Sequence, residues 1–321
     1  MAGKQVADLH RRRAVRVAGR SAGLVATLVL LASCGVTGDQ AKAVTEFGSS
    51  ASTLASGIKA TYAQAADDVA QLYSEQFVIP TPGIAARVHA GQFATTESFY
   101  GPFLPQNIQG RTKAAAALGA YGTALTTLID AKTQNADFSA AVTKLTGALK
   151  SIPATTLTEA GITTKQIDGV GSVLVALGEA YLDWKRRQTL EAVVPAASPV
   201  VGKLCALFAS DFDPAKANNF ADKYLEAAFD NAGGARRALE QSPGNLESRA
   251  VLMPIYRHAR LLLDRGPTLF KPLQNAADDC VKSNAALAAA IADPKVSFDD
   301  IAAFVKQADA AYTAVQATIG K

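Results

Sequence analysis

Apolar side chains recur every three or four positions along most of this chain. The clearest run lies between residues 41 and 76, where it comprises Val44, Phe47, Ala51, Leu54, Ile58, Tyr62, Ala65, Val69 and Leu72. This spacing places the apolar residues on one face of a helix, because an α-helix completes a turn every 3.6 residues. The run therefore predicts one amphipathic helix about 54 Å long.

The same periodicity predicts helices over most of the remaining chain, at 106–132, 137–150, 164–192, 199–208, 214–241, 246–264, 267–292 and 301–315. Pro199 and Pro214 each follow a residue that can cap a helix, so both positions predict a helix start. Gly233-Gly234 is expected to weaken or end the helix that contains it. No segment alternates strictly between apolar and polar residues in the manner of a half-buried strand. The predicted fold class is all-α, an elongated antiparallel helical bundle with a long N-terminal helix.

Residues 77–109 interrupt this pattern with prolines and glycines. The segment also carries aromatic residues, among them Phe93, Phe99, Tyr100 and Phe103. Long irregular segments in compact domains are often functional, so these aromatics could contact a ligand or a partner. Alternatively, they form an apolar plug that closes one end of the bundle.

The first 34 residues have the order of a secretory signal. A basic segment that ends at Arg20 precedes the apolar run Ala22–Leu31, which is shorter than the roughly 20 residues that a membrane span needs. The run ends in Leu31-Ala32-Ser33-Cys34, which resembles the lipobox of bacterial lipoproteins. The resemblance implies that a peptidase recognises Leu31, Ala32 and Ser33, and that Cys34 carries a covalent lipid and begins the mature protein.

This resemblance leads to an expected domain order and location. Residues 1–33 form the signal peptide, 34–40 a lipidated tether and 41–321 the helical bundle, which could divide near 193–198. The protein is expected in the cell envelope, anchored to the membrane through its lipid. Gly35 stands where an aspartate is associated with retention in the inner membrane. The resemblance therefore implies an outer-membrane anchor facing the periplasm in a Gram-negative cell, and otherwise the outer face of the plasma membrane.

Removal of the signal changes the charge of the chain. The full sequence has 32 Lys and Arg against 28 Asp and Glu, and residues 1–33 hold 6 of the former and 1 of the latter. Residues 34–321 therefore carry 26 basic and 27 acidic side chains, a net charge of −1. A nucleic-acid-binding protein would keep a basic excess after processing, so no nucleic-acid partner is expected.

Two cysteines remain after Cys34, namely Cys205 and Cys280. In an oxidising compartment they could form a disulfide, which would close a loop of about 75 residues and stabilise the fold by roughly 4 kcal/mol. Alternatively, both are buried free thiols, since free cysteine behaves as a small apolar residue.

Signals of chemistry are few. Only His89 and His258 follow the signal, no cysteine–histidine cluster has metal-ligand spacing, and no nucleotide-binding or hydrolase motif occurs. We therefore expect no enzyme activity, no metal and no cofactor other than the lipid. The best polar cluster comprises Arg249, Arg257, His258, Arg260 and Arg265. Within it, Arg257, His258 and Arg260 could contact a ligand or a partner, and Arg257 and Arg260 could bind an anionic group. Alternatively, the arginines are ordinary solvated side chains.

The expected function is that of a non-catalytic envelope lipoprotein that binds a protein partner or supports an envelope assembly. Two alternatives stay open. The first is a lipoprotein that binds a small ligand through the aromatic segment 77–109, and the second is an enzyme of unrecognised type.

Overall fold

A computed structural model describes residues 36–79, 101–130, 132–178, 186–293 and 297–319. These ranges contain nine α-helices, one 3-10 turn at Gly101–Phe103 and no strand, which confirms the all-α class. The helices are α1 Gly38–Gln76, α2 Pro105–Ile129, α3 Asn135–Lys150, α4 Ala154–Glu159, α5 Thr164–Gly178, α6 Arg186–Asp211, α7 Phe220–Gln241, α8 Leu246–Ala292 and α9 Asp299–Thr318. The signal and lipidation residues Leu31, Ala32, Ser33 and Cys34 lie outside the described residues, as do Phe93, Phe99 and Tyr100.

Helix α1 is the long helix that the apolar stripe predicts. Its N-terminus is capped by Thr37, whose hydroxyl accepts a hydrogen bond from the Gln40 backbone N–H at 3.2 Å. The Gln40 side chain in turn accepts from the Thr37 backbone N–H at 3.2 Å, which completes a capping box. All nine residues of the predicted stripe are buried, so α1 packs with one face along the whole bundle.

Helices α2 and α8 run antiparallel to α1. The contact with α2 is closest at Gly122, where an added Cβ atom would lie 2.2 Å from the backbone oxygen of Gly48. Along α8, the Gln40 side chain donates to the backbone oxygen of Ala290 at 2.9 Å, and His258 meets Glu75 at the opposite end of α1. Helix α8 therefore follows α1 from one end of α1 to the other.

Helix α9 packs on the same spine, parallel to α1. The rings of Phe47 and Phe304 lie 5.4 Å apart near the beginning of both helices. Further along, Gly57 of α1 faces Val315 of α9. Helices α1, α2, α8 and α9 thus form the antiparallel bundle that the sequence predicts.

Predicted breaks at prolines and glycines do not occur. Helix α6 continues through Pro195 and Pro199, so the predicted start at Pro199 is wrong. Helix α8 spans 47 residues through three prolines, where two helices were predicted, and α7 continues through Gly233-Gly234. The prolines at 195, 199, 254 and 267 lie on exposed faces, where water can bond the carbonyl oxygens that they release. Burial of the opposite faces offsets their cost, which is about 3 kcal/mol for an interior proline.

Residues 193–198 lie within the continuous helix α6. The division of the bundle at this point stays a prediction.

Among the described helices, α6 alone is long and apolar enough to cross a bilayer, and 56% of its most apolar window is buried within the bundle. Helix α6 therefore packs as a core helix against α8.

Cys205 of α6 and Cys280 of α8 meet in this core. Their sulfur atoms lie 2.13 Å apart, their Cα atoms are 5.9 Å apart, and both residues are fully buried. The fold thus brings together the two cysteines that the sequence analysis paired, and the formation of the bond in the protein stays a prediction.

A second, smaller apolar core lies at the end of the bundle where α1 finishes. It consists of Ile79, Ala235, Ala238, Leu252 and Ile255. These residues come from the segment after α1 and from the facing halves of α7 and α8. The small core therefore holds the α7–α8 hairpin together beyond the main bundle.

Candidate functional site

The α7–α8 hairpin projects past the C-terminal end of α1. His258 of α8 is level with Glu75 of α1, because its Nδ1 lies 3.0 Å from a carboxylate oxygen of Glu75. Helix α8 begins 12 residues earlier, at Leu246, and therefore extends about 18 Å beyond that level. We call residues 77–79 and 229–265 the hairpin end of the bundle. It is opposite to Gly38, the first residue of α1.

Exposed apolar side chains concentrate at the hairpin end. Seven large apolar residues of the described ranges are exposed, and six of them lie here: Phe77, Val78, Phe229, Leu246, Val251 and Leu261. Leu246 is 81% exposed and Phe229 is 67% exposed. Single exposed apolar residues are ordinary on a protein surface, whereas this end carries most of those in the described ranges.

Arginines concentrate in the same place. Six of the ten arginines that follow Cys34 lie at the hairpin end: Arg236, Arg237, Arg249, Arg257, Arg260 and Arg265. No lysine occurs between Lys223 and Lys271, although the chain after Cys34 has 16 lysines. All of these arginines except Arg265 have exposed side chains. The hairpin end therefore combines guanidinium groups with exposed apolar side chains.

The structure divides the predicted Arg257-His258-Arg260 cluster. Arg257 and Arg260 share the exposed face of α8, and Arg260 lies 3.8 Å from Asp264. His258 instead points toward α1 and pairs with Glu75, with 19% and 15% of the two side chains exposed. The separation follows from helix geometry, since neighbouring residues point about 100° apart. The two arginines are available at the surface, and the histidine helps to attach α8 to α1.

A buried polar cluster fixes the base of the hairpin on α1. Asp68 accepts hydrogen bonds from the Tyr224 hydroxyl at 2.8 Å and from the Gln64 side chain at 2.9 Å, and it pairs with Arg265. Burial and the nearby Asp68 carboxylate raise the pKa of Tyr224. Because these side chains come from α1, α7 and α8, the cluster holds the hairpin in one position relative to the bundle.

A second cluster with the same chemistry lies further toward the middle of the bundle. The Tyr62 hydroxyl donates to Asp211 at 2.6 Å, and Arg111 Nε donates to the same oxygen at 2.6 Å. Arg111 also reaches Glu159 at 3.2 Å. Burial, followed by the Asp211 carboxylate, raises the pKa of Tyr62. Burial opposes the charge of Arg111, but Asp211, Tyr62 and Glu159 together outweigh it and raise the pKa of the guanidinium.

Neither cluster was predicted from the sequence. A signal was present, because Tyr62 and Tyr224 each carry a hydroxyl within an apolar stripe, and a buried hydroxyl needs a hydrogen-bond partner. The partners could not be identified, since Tyr62 and Asp211 are 149 residues apart in the chain. Both carboxylates are saturated by arginine and tyrosine donors, which suits them to holding helices in place.

Phe103 lies in the aromatic core between the two clusters. It is 5% exposed, and its ring centroid is 4.6 Å from that of Phe220. Phe220 in turn contacts Tyr62 at 4.8 Å. For this residue the position supports the interpretation of the aromatics as a plug. Phe93, Phe99 and Tyr100 lie outside the described residues.

Within the ranges that the structure describes, no group of three or more His, Cys, Asp or Glu side chains could hold a metal ion. The expectation that the protein needs no metal or cofactor stays a prediction. No protein-family model, curated protein or solved structure that we compared with this chain matches it.

Proposed function

We propose that this chain is a lipid-anchored, non-catalytic lipoprotein of the bacterial envelope, whose helical bundle binds a protein partner at the hairpin end. One observation carries the proposal: six of the seven exposed large apolar residues of the described ranges lie at that end. Such a concentration has a cost in solubility, and partner binding is its usual explanation.

The position of the anchor supports the same function. Cys34 precedes the first residue of α1 by four positions, and the Thr37 capping box begins the helix within that short interval. Helix α1 then extends about 58 Å at 1.5 Å per residue. A lipid on Cys34 would thus attach one end of the bundle to the membrane and leave the hairpin end for a partner. The membrane would be the outer membrane of a Gram-negative cell, or otherwise the plasma membrane.

The polar interior favours binding over catalysis. A catalytic carboxylate needs access to a substrate. Asp68 and Asp211 are 6% and 4% exposed, and both are paired with arginine. The alternative of a small ligand at the aromatic segment gains no support from Phe103, because that ring packs in the core.

Photo-crosslinking in intact cells tests the proposal. A p-benzoylphenylalanine probe at Leu246 samples the hairpin end, and the same probe at Lys306, exposed on α9, is the matched control. We expect a discrete protein adduct from position 246 and none of the same size from position 306. Equal adducts from positions 246 and 306, or no protein adduct from position 246, would contradict the proposal.

A further inference from the structure

We infer that the hairpin end binds an acidic segment of its protein partner, in which Asp or Glu side chains flank apolar ones. The inference rests on the proposed function and adds to it the chemistry of the partner. Its basis is the combination of arginines and apolar side chains on the same exposed helix faces.

The choice of arginine over lysine points to a protein interface. Protein interfaces are enriched in arginine, methionine and aromatic residues and depleted in lysine. The 47 residues between Lys223 and Lys271 contain six arginines and no lysine. A guanidinium can form two parallel hydrogen bonds to one carboxylate and can also lie flat on apolar groups, whereas an ammonium acts as a point charge.

The exposed face of α8 alternates these two kinds of side chain. Arg249, Met253 and Arg260 follow one another at steps of four and seven residues, which places them in one row. Arg257 lies beside this row and is exposed, and the exposed Leu246 lies at its beginning. An apolar side chain of a partner could therefore pack on α8 while a neighbouring carboxylate meets a guanidinium.

Helix α7 repeats this arrangement. Phe229 and Arg236 are seven residues apart, two helical turns, and thus share a face, and both are exposed. Arg236 lies 3.9 Å from Glu240, in a solvated pair of the kind that contributes little to stability and can be exchanged for a partner's carboxylate.

The local charge is opposite to that of the chain as a whole. Residues 236–260 contain five arginines and two glutamates, a net charge of +3, whereas residues 34–321 have a net charge of −1. Among the described residues, neither Arg249 nor Arg257 has an ion-pair partner. Both guanidinium groups are thus available to an acidic segment.

Anionic polymers would also meet these arginines, but they would leave the exposed apolar side chains in water. An anionic bilayer would take up both kinds of side chain, but a lipid on Cys34 would hold the hairpin end about 58 Å from the anchoring membrane. Arginine binds phosphate as well as carboxylate, so the arginines alone do not distinguish a phosphate polymer from an acidic protein segment. Phe229 and Leu246 would gain nothing from a hydrated phosphate backbone. A protein segment can satisfy both kinds of side chain at once.

Charge reversal in the Leu246 crosslinking assay tests the inference. The variant Arg249→Glu/Arg257→Glu and the control Lys59→Glu/Lys306→Glu both reverse two exposed cations, and each changes the net charge by −4. We expect about a tenfold lower adduct yield in the first variant, because like charges repel across an interface, and an unchanged yield in the control. Circular dichroism of the purified full chain checks that both variants are folded.

A charge-swap rescue then identifies the acidic contact. Mass spectrometry of the adduct locates the partner peptide at the probe, and its Asp and Glu residues are replaced by Lys. With the Arg249→Glu/Arg257→Glu variant, we expect these replacements to restore at least half of the original adduct yield. With the wild-type chain, we expect them to lower the adduct yield. Should the glutamate variant fail to fold, Arg249→Gln/Arg257→Gln replaces it. We then expect a lower adduct yield from this variant than from the wild type, and a lower adduct yield from the wild type when salt is added.

The outcomes separate the inference from the proposed function. An adduct whose yield is the same in Arg249→Glu/Arg257→Glu as in the wild type, or a contact peptide without carboxylates, overturns the acidic partner and leaves partner binding intact. Adducts with lipid alone, or no protein adduct from any position of the hairpin end, overturn both.

Discussion

Replacement of Asp211 by alanine should destabilise the bundle more than any surface substitution. Asp211 is 4% exposed and accepts three hydrogen bonds: from Tyr62 at 2.6 Å and from Arg111 at 2.6 and 3.2 Å. Without this carboxylate, Arg111 keeps its charge at 7% exposure with only the partly exposed Glu159 as an ion-pair partner. The Tyr62 hydroxyl loses its acceptor in a fully buried position.

The size of the loss follows from these contacts. Removal of one member of a buried ion pair typically costs about 3–5 kcal/mol, because the other charge stays buried without compensation. A buried hydroxyl without a partner adds about 1 kcal/mol or more. Glu159 recovers part of this loss, so we expect Asp211→Ala to lower the free energy of unfolding by about 4 kcal/mol.

Urea unfolding followed by circular dichroism measures this change. Asp264→Ala is the matched control, because Asp264 belongs to a solvated pair with Arg260 at 3.8 Å and its side chain is 73% exposed. The control should cost less than about 1 kcal/mol. An apolar replacement of the whole cluster, Tyr62→Phe/Arg111→Met/Asp211→Leu, should be more stable than Asp211→Ala. If Asp211→Ala and Asp264→Ala have equal stabilities, the reasoning on the buried cluster is wrong.

Three further predictions concern the core. Alkali should unfold the protein, because burial raises the pKa of three tyrosines above the 10.0 of an unfolded chain: Tyr62, Tyr121 and Tyr224. The contribution of these tyrosines to the free energy of unfolding should be constant below about pH 10 and fall above it. In urea titrations, Tyr121→Phe should reduce the tyrosine part of that slope by about a third. Gly122→Ala should lower the unfolding midpoint, because the added Cβ would lie 2.2 Å from the Gly48 backbone oxygen. The control Gly147→Ala, whose Cβ has nothing within 4 Å, should raise stability by about 0.5–1 kcal/mol. Equal effects of the two substitutions would contradict the close packing of α1 and α2. With Cys34 replaced by serine, Cys205 and Cys280 should resist alkylation in denaturant until a reductant is added, and labelling without reductant would show two free thiols.

The helices on the bundle surface could be predicted well from the sequence. For α1 the predicted range of 41–76 differs from the observed Gly38–Gln76 only at its beginning, because the stripe has one buried face and a polar remainder. Prediction was wrong where proline was treated as a helix start, as at Pro199, and where glycine was treated as a helix end, as at Gly233. There, burial of the opposite helix face outweighs the local preference of the backbone.

The candidate site could be predicted only in part. Arg257 and Arg260 were identified from their spacing, and both are exposed at the hairpin end. The apolar side chains beside them could not be predicted, because their exposure depends on how far α8 extends past α1. Residues such as Leu246 look in the sequence like ordinary members of an apolar stripe.

The intact mass of the protein extracted from cell membranes tests the lipoprotein assignment most directly. We expect a chain that begins at Cys34 and carries a covalent diacylglyceryl group, and a Cys34→Ser variant that incorporates no labelled palmitate. A mature chain that begins at another residue, or an unmodified Cys34 in the membrane fraction, would contradict the proposed lipid anchor.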